Sequence, residues 1–163
     1  MQRLWAPWRE QYITKVITNK HKGCIFCDMF KSKADAKNYI FIRGKLAYAV
    51  LNIYPYSNGH LMVAPYRHTG KLDDLTEDEL KDLMVLSRRC QNLISHTFKP
   101  DGFNIGFNLG SAAGAGIADH LHLHVVPRWN GDTNFMTVIS DNRIISEGLK
   151  ETYEKLSHQL KNA

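Results

Sequence analysis

Leu80, Leu83, Met84, Leu86, Cys90, Leu93 and Ile94 recur three and four residues apart, a stripe that predicts an amphipathic helix over 77–98. Thr76 and Glu79 form a capping box ahead of it, and Pro100-Asp101-Gly102 ends it. Elsewhere the apolar pattern takes the period of strands. Residues 39–43 and 46–51 flank a turn at Gly44-Lys45, and 60–65 reads as a third strand. Residues 103–108 and 120–127 supply two more. Residues 25–33 read as a short helix and 147–160 as a closing one. Residues 3–13 form either a short helix with Pro7 in its first turn or an irregular arm anchored by Trp5 and Trp8. Strands, a long helix, then two more strands predict an α+β fold with a five-stranded, mainly antiparallel sheet. The whole chain, 1–163, reads as one domain, with an arm at 1–20, a core at 24–128, and a tail and helix at 129–163.

Composition narrows the class. Hydrophobic residues make up 44% and charged residues 23% of the chain, a balance that fits a globular domain rather than a disordered one. No apolar run approaches the roughly 20 residues of a membrane span. The start, Met1-Gln2-Arg3-Leu4-Trp5-Ala6-Pro7-Trp8-Arg9, lacks the apolar stretch of a secretory signal, so a cytoplasmic protein is expected. A net charge of +5 suits an anionic ligand. The Lys and Arg residues are scattered rather than striped, which disfavours nucleic acid as that ligand. Three cysteines without a secretory signal argue against a disulfide framework, and Cys90, on the long helix, reads as a small buried hydrophobe.

The chemistry concentrates at His120, His122 and His124. Strand alternation sends these three imidazoles to one face and Leu121, Leu123 and Val125 to the other. The apolar side can enter a core, leaving a row of imidazoles along a groove. Imidazole serves near neutral pH as nucleophile, proton donor or metal ligand. Ahead of this run lies a loop of small residues from Asn108 to Asp119, with glycines at 110, 114 and 116, whose backbone N–H groups can form a nest for phosphate oxygens. It is not a P-loop, because the Gly-Lys-Ser/Thr ending is missing. Cys24-x-x-Cys27 is a metal-binding or redox pair; the redox reading lacks the strand before and the long helix after that a thioredoxin site needs.

The run His120 to Val126 matches at every position the His-φ-His-φ-His-φ-φ signature of the histidine triad (HIT) family, φ being apolar, and the chain resembles that family. Asn52 eight residues before His60, Gly59-His60 opening a strand, and Asn108-x-Gly110 opening the glycine loop extend the resemblance over most of 24–128. It implies a HIT-like α+β fold, and a homodimer in which two five-stranded sheets join. It implies nucleotidyl transfer from a nucleoside phosphate through a covalent nucleotidyl-histidine. His122 takes the place of the nucleophile, its second ring nitrogen held by a main-chain carbonyl. His124 would bind phosphate and stabilise its developing charge, with His60 in support. Asn108 and the loop at Gly110, Gly114, Ala115 and Gly116 would hold phosphate oxygens, and Asn52 would lie near the ribose.

Some members bind zinc through residues matched here by Cys24, Cys27, His68 and His120, which implies a structural zinc; no organic cofactor is expected. The flanks, Leu4-Trp5-Ala6-Pro7-Trp8-Arg9 and residues 126–136, resemble a bacterial branch that includes diadenosine tetraphosphate phosphorylases. These use inorganic phosphate to split the dinucleotide into ATP and ADP. Where that branch carries Gly-Ser late in the glycine loop, this chain has Ala115-Gly116, leaving backbone donors for the phosphate. Trp129, at the end of the triad strand, is a candidate to stack on a nucleobase. The expected substrate is a dinucleoside polyphosphate, with water or phosphate as acceptor. A purine nucleoside phosphoramidase and a non-catalytic nucleotide-binding module are the alternatives.

Overall fold

The computed structural model describes residues 23–132 and 145–162. The arm with Trp5 and Trp8, and the stretch from Thr133 to Met136, lie outside the described residues. Five strands run β1 (Ile40–Arg43), β2 (Ala47–Leu51), β3 (Leu61–Pro65), β4 (Gly102–Phe107) and β5 (Leu123–Arg128). They form one sheet in the order β1-β2-β3-β5-β4. Every neighbouring pair is antiparallel. Helices α1 (Ile25–Lys31) and α2 (Asp35–Asn38) precede the sheet, α3 (Glu77–Phe98) links β3 to β4, and α4 (Leu149–Lys161) follows it. No helix among the described residues is long and apolar enough to cross a membrane.

The capping box forms as its residues dictate. Thr76 accepts from the Glu79 N–H, and the Glu79 carboxylate accepts from the Thr76 N–H. The apolar stripe of α3 packs Leu83, Leu86, Cys90, Leu93 and Ile94 onto one face of the sheet, where Ala49, Leu51, Leu61, Val63, Leu123 and Val125 meet it. Burial pushes the Cys90 thiol up to about 12, so it stays protonated and acts as a small apolar side chain. The other face carries a smaller cluster of Phe26, Ile40, Tyr48, Val50, Met62 and Ala64. Buried on both sides, β2 and β3 read as continuous apolar runs rather than alternating ones.

The triad strand departs from its expected bounds. β5 starts at Leu123, not at residue 120. The preceding turn belongs to a different contact: Leu121 N–H donates to the Thr69 carbonyl at 2.7 Å, tying the chain to the loop after β3. Alternation still holds through it, since Leu121, Leu123 and Val125 all enter the α3 core. In the register, His124 lies between Met62 of β3 and Gly106 of β4.

Candidate functional site

The site is built on the sheet face away from α3, at the start of β5, which lies between β3 and the edge strand β4. His122 Nδ1 donates to the carbonyl of His120 at 2.9 Å. A carbonyl only accepts, so Nδ1 carries the proton and Nε2 keeps its lone pair. Burial holds the His122 imidazole below its ordinary value and therefore neutral near pH 7.

His124 has the opposite polarity. The Tyr56 N–H donates to His60 Nδ1 at 3.0 Å, which leaves the His60 proton on Nε2. That nitrogen donates to His124 Nδ1 at 2.9 Å, so His124 carries its own proton on Nε2, facing outward. The Asn108 side-chain nitrogen lies 3.4 Å from that nitrogen, and because both would donate, the amide must turn over so that its oxygen accepts the proton. Asn52 braces the relay: its side-chain nitrogen is 3.3 Å from His60 Nδ1, and its oxygen accepts the Tyr54 N–H at 2.9 Å. Burial, then the neighbouring His122, pushes His124 down to about 4. The rings of His122 and His124 stand 4.9 Å apart at 72°. One lone pair and one N–H therefore sit side by side, a nucleophile next to a hydrogen-bond donor.

The imidazole row does not lie in an open groove, as alternation suggested. Phe26 of α1 stacks on His122 at 4.9 Å and covers His120 as well, and His122 is left 7% exposed. The open space lies beside His124, a cavity of about 330 Å³ lined by Tyr56, Asn104, Phe107, Asn108 and Arg128 among others. Tyr56 is half-exposed and its ring stacks on His124 at 5.7 Å. The Arg128 guanidinium is held by Asp132 and by the Asn104 oxygen.

The glycine loop is a tight turn. Gly110 and Gly114 take φ of +80° and +94°, which only glycine adopts readily. The N–H groups of Gly114 and Ala115 donate to the carbonyls of Ser111 and Gly110, so these two point back into the loop. Gly114 lies over the Asn108 amide. Trp129 follows β5 in a turn closed by Asp132, whose N–H donates to the Trp129 carbonyl at 3.0 Å. At roughly 3.3 Å per residue, it stands about 16 Å beyond His124 along the strand.

A second constellation adjoins the first. Cys24, Cys27, His68 and His120 offer one ligand atom each, and all four atoms lie within 4.8 Å of one another. His120 Nε2–H donates to the Pro65 carbonyl at 2.9 Å, which turns Nδ1 toward the cysteines. From Nδ1, Cys24 Sγ is 3.2 Å, Cys27 Sγ 3.6 Å and His68 Nδ1 3.3 Å away. Tetrahedral bonds of about 2.0–2.3 Å place ligand atoms roughly 3.3–3.8 Å apart, so the set fits a single tetrahedral ion. His68 Nε2 lies 4.0 Å from Asp119, an outer partner of the kind that orients a ligating imidazole. Burial and the adjacent Cys24 push the Cys27 thiol up to about 11. A catalytic redox pair needs the reverse, and it is the spacing of the four ligand atoms that favours metal ligation.

Residues 33–131 match the HIT domain model, a span that contains His60, the glycine loop and all three triad histidines. The chain belongs to the histidine triad family. Over 96% of its length it is 41% identical to the AP-4-A phosphorylase of Mycobacterium tuberculosis, covering 83% of that protein. Over 79% of its length it is 33% identical to the asymmetrical bis(5'-nucleosyl)-tetraphosphatase of Schizosaccharomyces pombe, 67% of which it covers. The fold is similar to that of a zinc-bound histidine triad family protein from Mycobacterium smegmatis, with a TM-score of 0.71 and 27% identity over 86% of this chain and 95% of the other.

Two members of this HIT site escape sequence reasoning. Tyr56 acts through its backbone N–H and its ring, and no periodicity singles it out. Phe26 stands inside the Cys-x-x-Cys pair, and only that position distinguishes it from any core aromatic.

Proposed function

We propose that this HIT-family enzyme cleaves dinucleoside polyphosphates, diadenosine tetraphosphate foremost, by two displacements at His122. The observation that carries the reading is the hydrogen bond from His122 Nδ1 to the His120 carbonyl, which leaves Nε2 as a free lone pair beside the His124 N–H. Nε2 attacks the α-phosphorus; a nitrogen–phosphorus bond forms, and the bond to the bridging oxygen breaks. The departing polyphosphate takes that electron pair, and His124 Nε2–H, kept in place by His60, donates to the oxygen where charge develops. The acceptor oxygen then attacks the same phosphorus, the nitrogen–phosphorus bond breaks and its electron pair returns to His122 Nε2; where water is the acceptor, its released proton passes to solvent. Phosphate as acceptor gives ATP and ADP; water gives ATP and AMP. The identity with the mycobacterial phosphorylase supports phosphate.

Asn108 and the glycine-loop N–H groups other than those of Ala113, Gly114 and Ala115, which bond within the loop, hold the phosphate oxygens, and Asn52 holds the ribose side. Trp129, far along β5, serves only the distal part of a long substrate. The metal is zinc: two thiolates and two imidazoles are its ordinary structural set, and the zinc-bound mycobacterial protein of similar fold supports it. When bound, it ties α1 to the triad strand. The working form is a homodimer, because β4 is an edge strand without a charged residue and with Ile105 exposed. Two free thiols in a metal set fit a reducing, cytoplasmic compartment.

The test is product identification. Incubation with diadenosine tetraphosphate, with and without inorganic phosphate, should give ATP plus ADP only when phosphate is present. ATP plus AMP in either case would make the enzyme a hydrolase. No cleavage under both conditions would overturn the reading.

A further inference from the structure

Phe26 lies between Cys24 and Cys27 in sequence and between the metal cluster and His122 in space. It is 2% exposed, and its ring stacks on His122 at 29° and lies tilted against His120 at 36°. α1 has seven residues and no side-chain cap at Cys24, too short a helix to hold itself in water. Its described ties to the sheet include the Tyr48 hydroxyl on the Phe26 carbonyl, at 2.8 Å, and the cysteines of the metal cluster. The cluster reaches His122 by a second route too, since the His120 carbonyl accepts the His122 proton. With the Cβ tether and one hydrogen bond through Nδ1, the imidazole plane can still tilt about the line joining those two anchors. A flat apolar face laid on the ring removes this freedom, and it aims Nε2.

We propose that Phe26 is a positioning residue that fixes the ring plane of His122, and that the centre at Cys24, Cys27, His68 and His120 acts on the reaction by holding Phe26 in place. The proposal rests on the reading of His122 as nucleophile. A nucleophile that swivels loses rate rather than affinity, because the productive orientation becomes rare while the substrate contacts persist. Phe26 should therefore set kcat and leave KM nearly alone.

The full chain, loaded with zinc and labelled with ¹⁵N at histidine, tests this in two readouts. Long-range ¹H–¹⁵N spectra report whether His122 holds one ordered Nδ1–H tautomer, and steady-state kinetics on diadenosine tetraphosphate give kcat and KM. Phe26→Leu keeps an apolar side chain but removes the flat face. It should average or broaden the His122 signals and lower kcat by about tenfold or more, with KM within about threefold and metal content unchanged. Unchanged His122 signals with unchanged kcat would overturn the proposal. So would a rise in KM at constant kcat, which would make Phe26 a wall of the substrate pocket. If Phe26→Leu loses its fold, Phe26→Met replaces it, and removal of zinc from the parent by a chelator gives an independent arm. Chelation should disorder the His122 signals in the same way, and signals that survive it would refute the coupling. Should the parent cleave no dinucleotide, the functional reading falls, while the spectra still decide whether Phe26 orders His122.

Discussion

His60 Nε2 lies 2.9 Å from His124 Nδ1, and the direction of that hydrogen bond is set on the far side of His60 by the Tyr56 N–H. The two imidazoles thus act as one unit that presents a proton at His124 Nε2. Removing either should break the same function. We expect His60→Ala and His124→Ala each to lower kcat by roughly a hundredfold, as loss of a positioned proton donor does. The double variant should be little worse than the poorer single one. Additive losses in this cycle would show that His60 serves catalysis by another path, or serves only the fold.

His122 should be indispensable to turnover and dispensable to binding. His122→Ala removes the lone pair proposed to form the covalent bond, and kcat should fall by about 10⁴-fold or more. Nucleotide affinity, followed by calorimetry, should stay within a few-fold of the parent. Rapid quenching of the parent with radiolabelled substrate should trap label on the protein, and His122→Ala should trap none. Turnover of that variant within tenfold of the parent, a barrier change of about 1.4 kcal/mol, would exclude the nucleophile assignment.

The fold was largely legible in the chain because local signals agreed. The capping box and the stripe from Leu80 to Ile94 mark α3 to the residue, and the alternation at Leu121, Leu123 and Val125 assigns the core face. The start of β5 was not legible, because the Leu121 N–H is taken by the Thr69 carbonyl in the loop after β3, a long-range contact without a sequence signature. At the site, the clustering of four side chains able to hold a metal follows from residue type and family resemblance. The Tyr56–His60–His124 relay does not. It depends on a backbone N–H and on ring tautomers, which no residue code carries.

Burial of His124 makes stability depend on pH. Its ordinary value is 6.5, and burial lowers it to about 4 in the folded protein. Above 6.5 both folded and unfolded forms are neutral at this residue, so it exerts no pull. As pH falls from 6.5 toward 4, the unfolded chain takes up the proton first, and stability is lost through that window. Urea midpoints measured from pH 7 to pH 4.5 should therefore drop more steeply for the parent than for His124→Gln, which has nothing to protonate. Parallel curves would mean that His124 charges as readily in the fold as outside it.

Gly70 sits where the loop after His68 passes the loop before His120. A Cβ there would run into the Ala118 carbonyl oxygen and approach the Asp119 Cα at 3.1 Å, both of them backbone. Gly70→Ala must push the two loops apart and strain the Thr69–Leu121 hydrogen bond between them. We expect a loss of about 1–3 kcal/mol in urea unfolding. Metal affinity should weaken with it, because His68 and His120 lie on the two separated segments. A variant as stable as the parent with full metal content would show that the loops yield at no cost.

The metal centre should be visible in stability as well as in composition. Purified protein should carry about one zinc per chain by elemental analysis, since two sulfurs and two nitrogens make one closed tetrahedral set. An ion that binds only the folded form stabilises it by about 4 kcal/mol when free metal stands a thousandfold above Kd. Chelation should accordingly lower the parent's Tm by several degrees. Cys24→Ser replaces a sulfur 3.2 Å from His120 Nδ1 with a poorer ligand, and should start from the lower Tm. The discriminating comparison is the response to chelator: a large shift for the parent and a small one for Cys24→Ser. Equal shifts would place the stabilising metal elsewhere, and no shift in either would leave Cys24 and Cys27 as thiols packed beside His120 with no ion to hold.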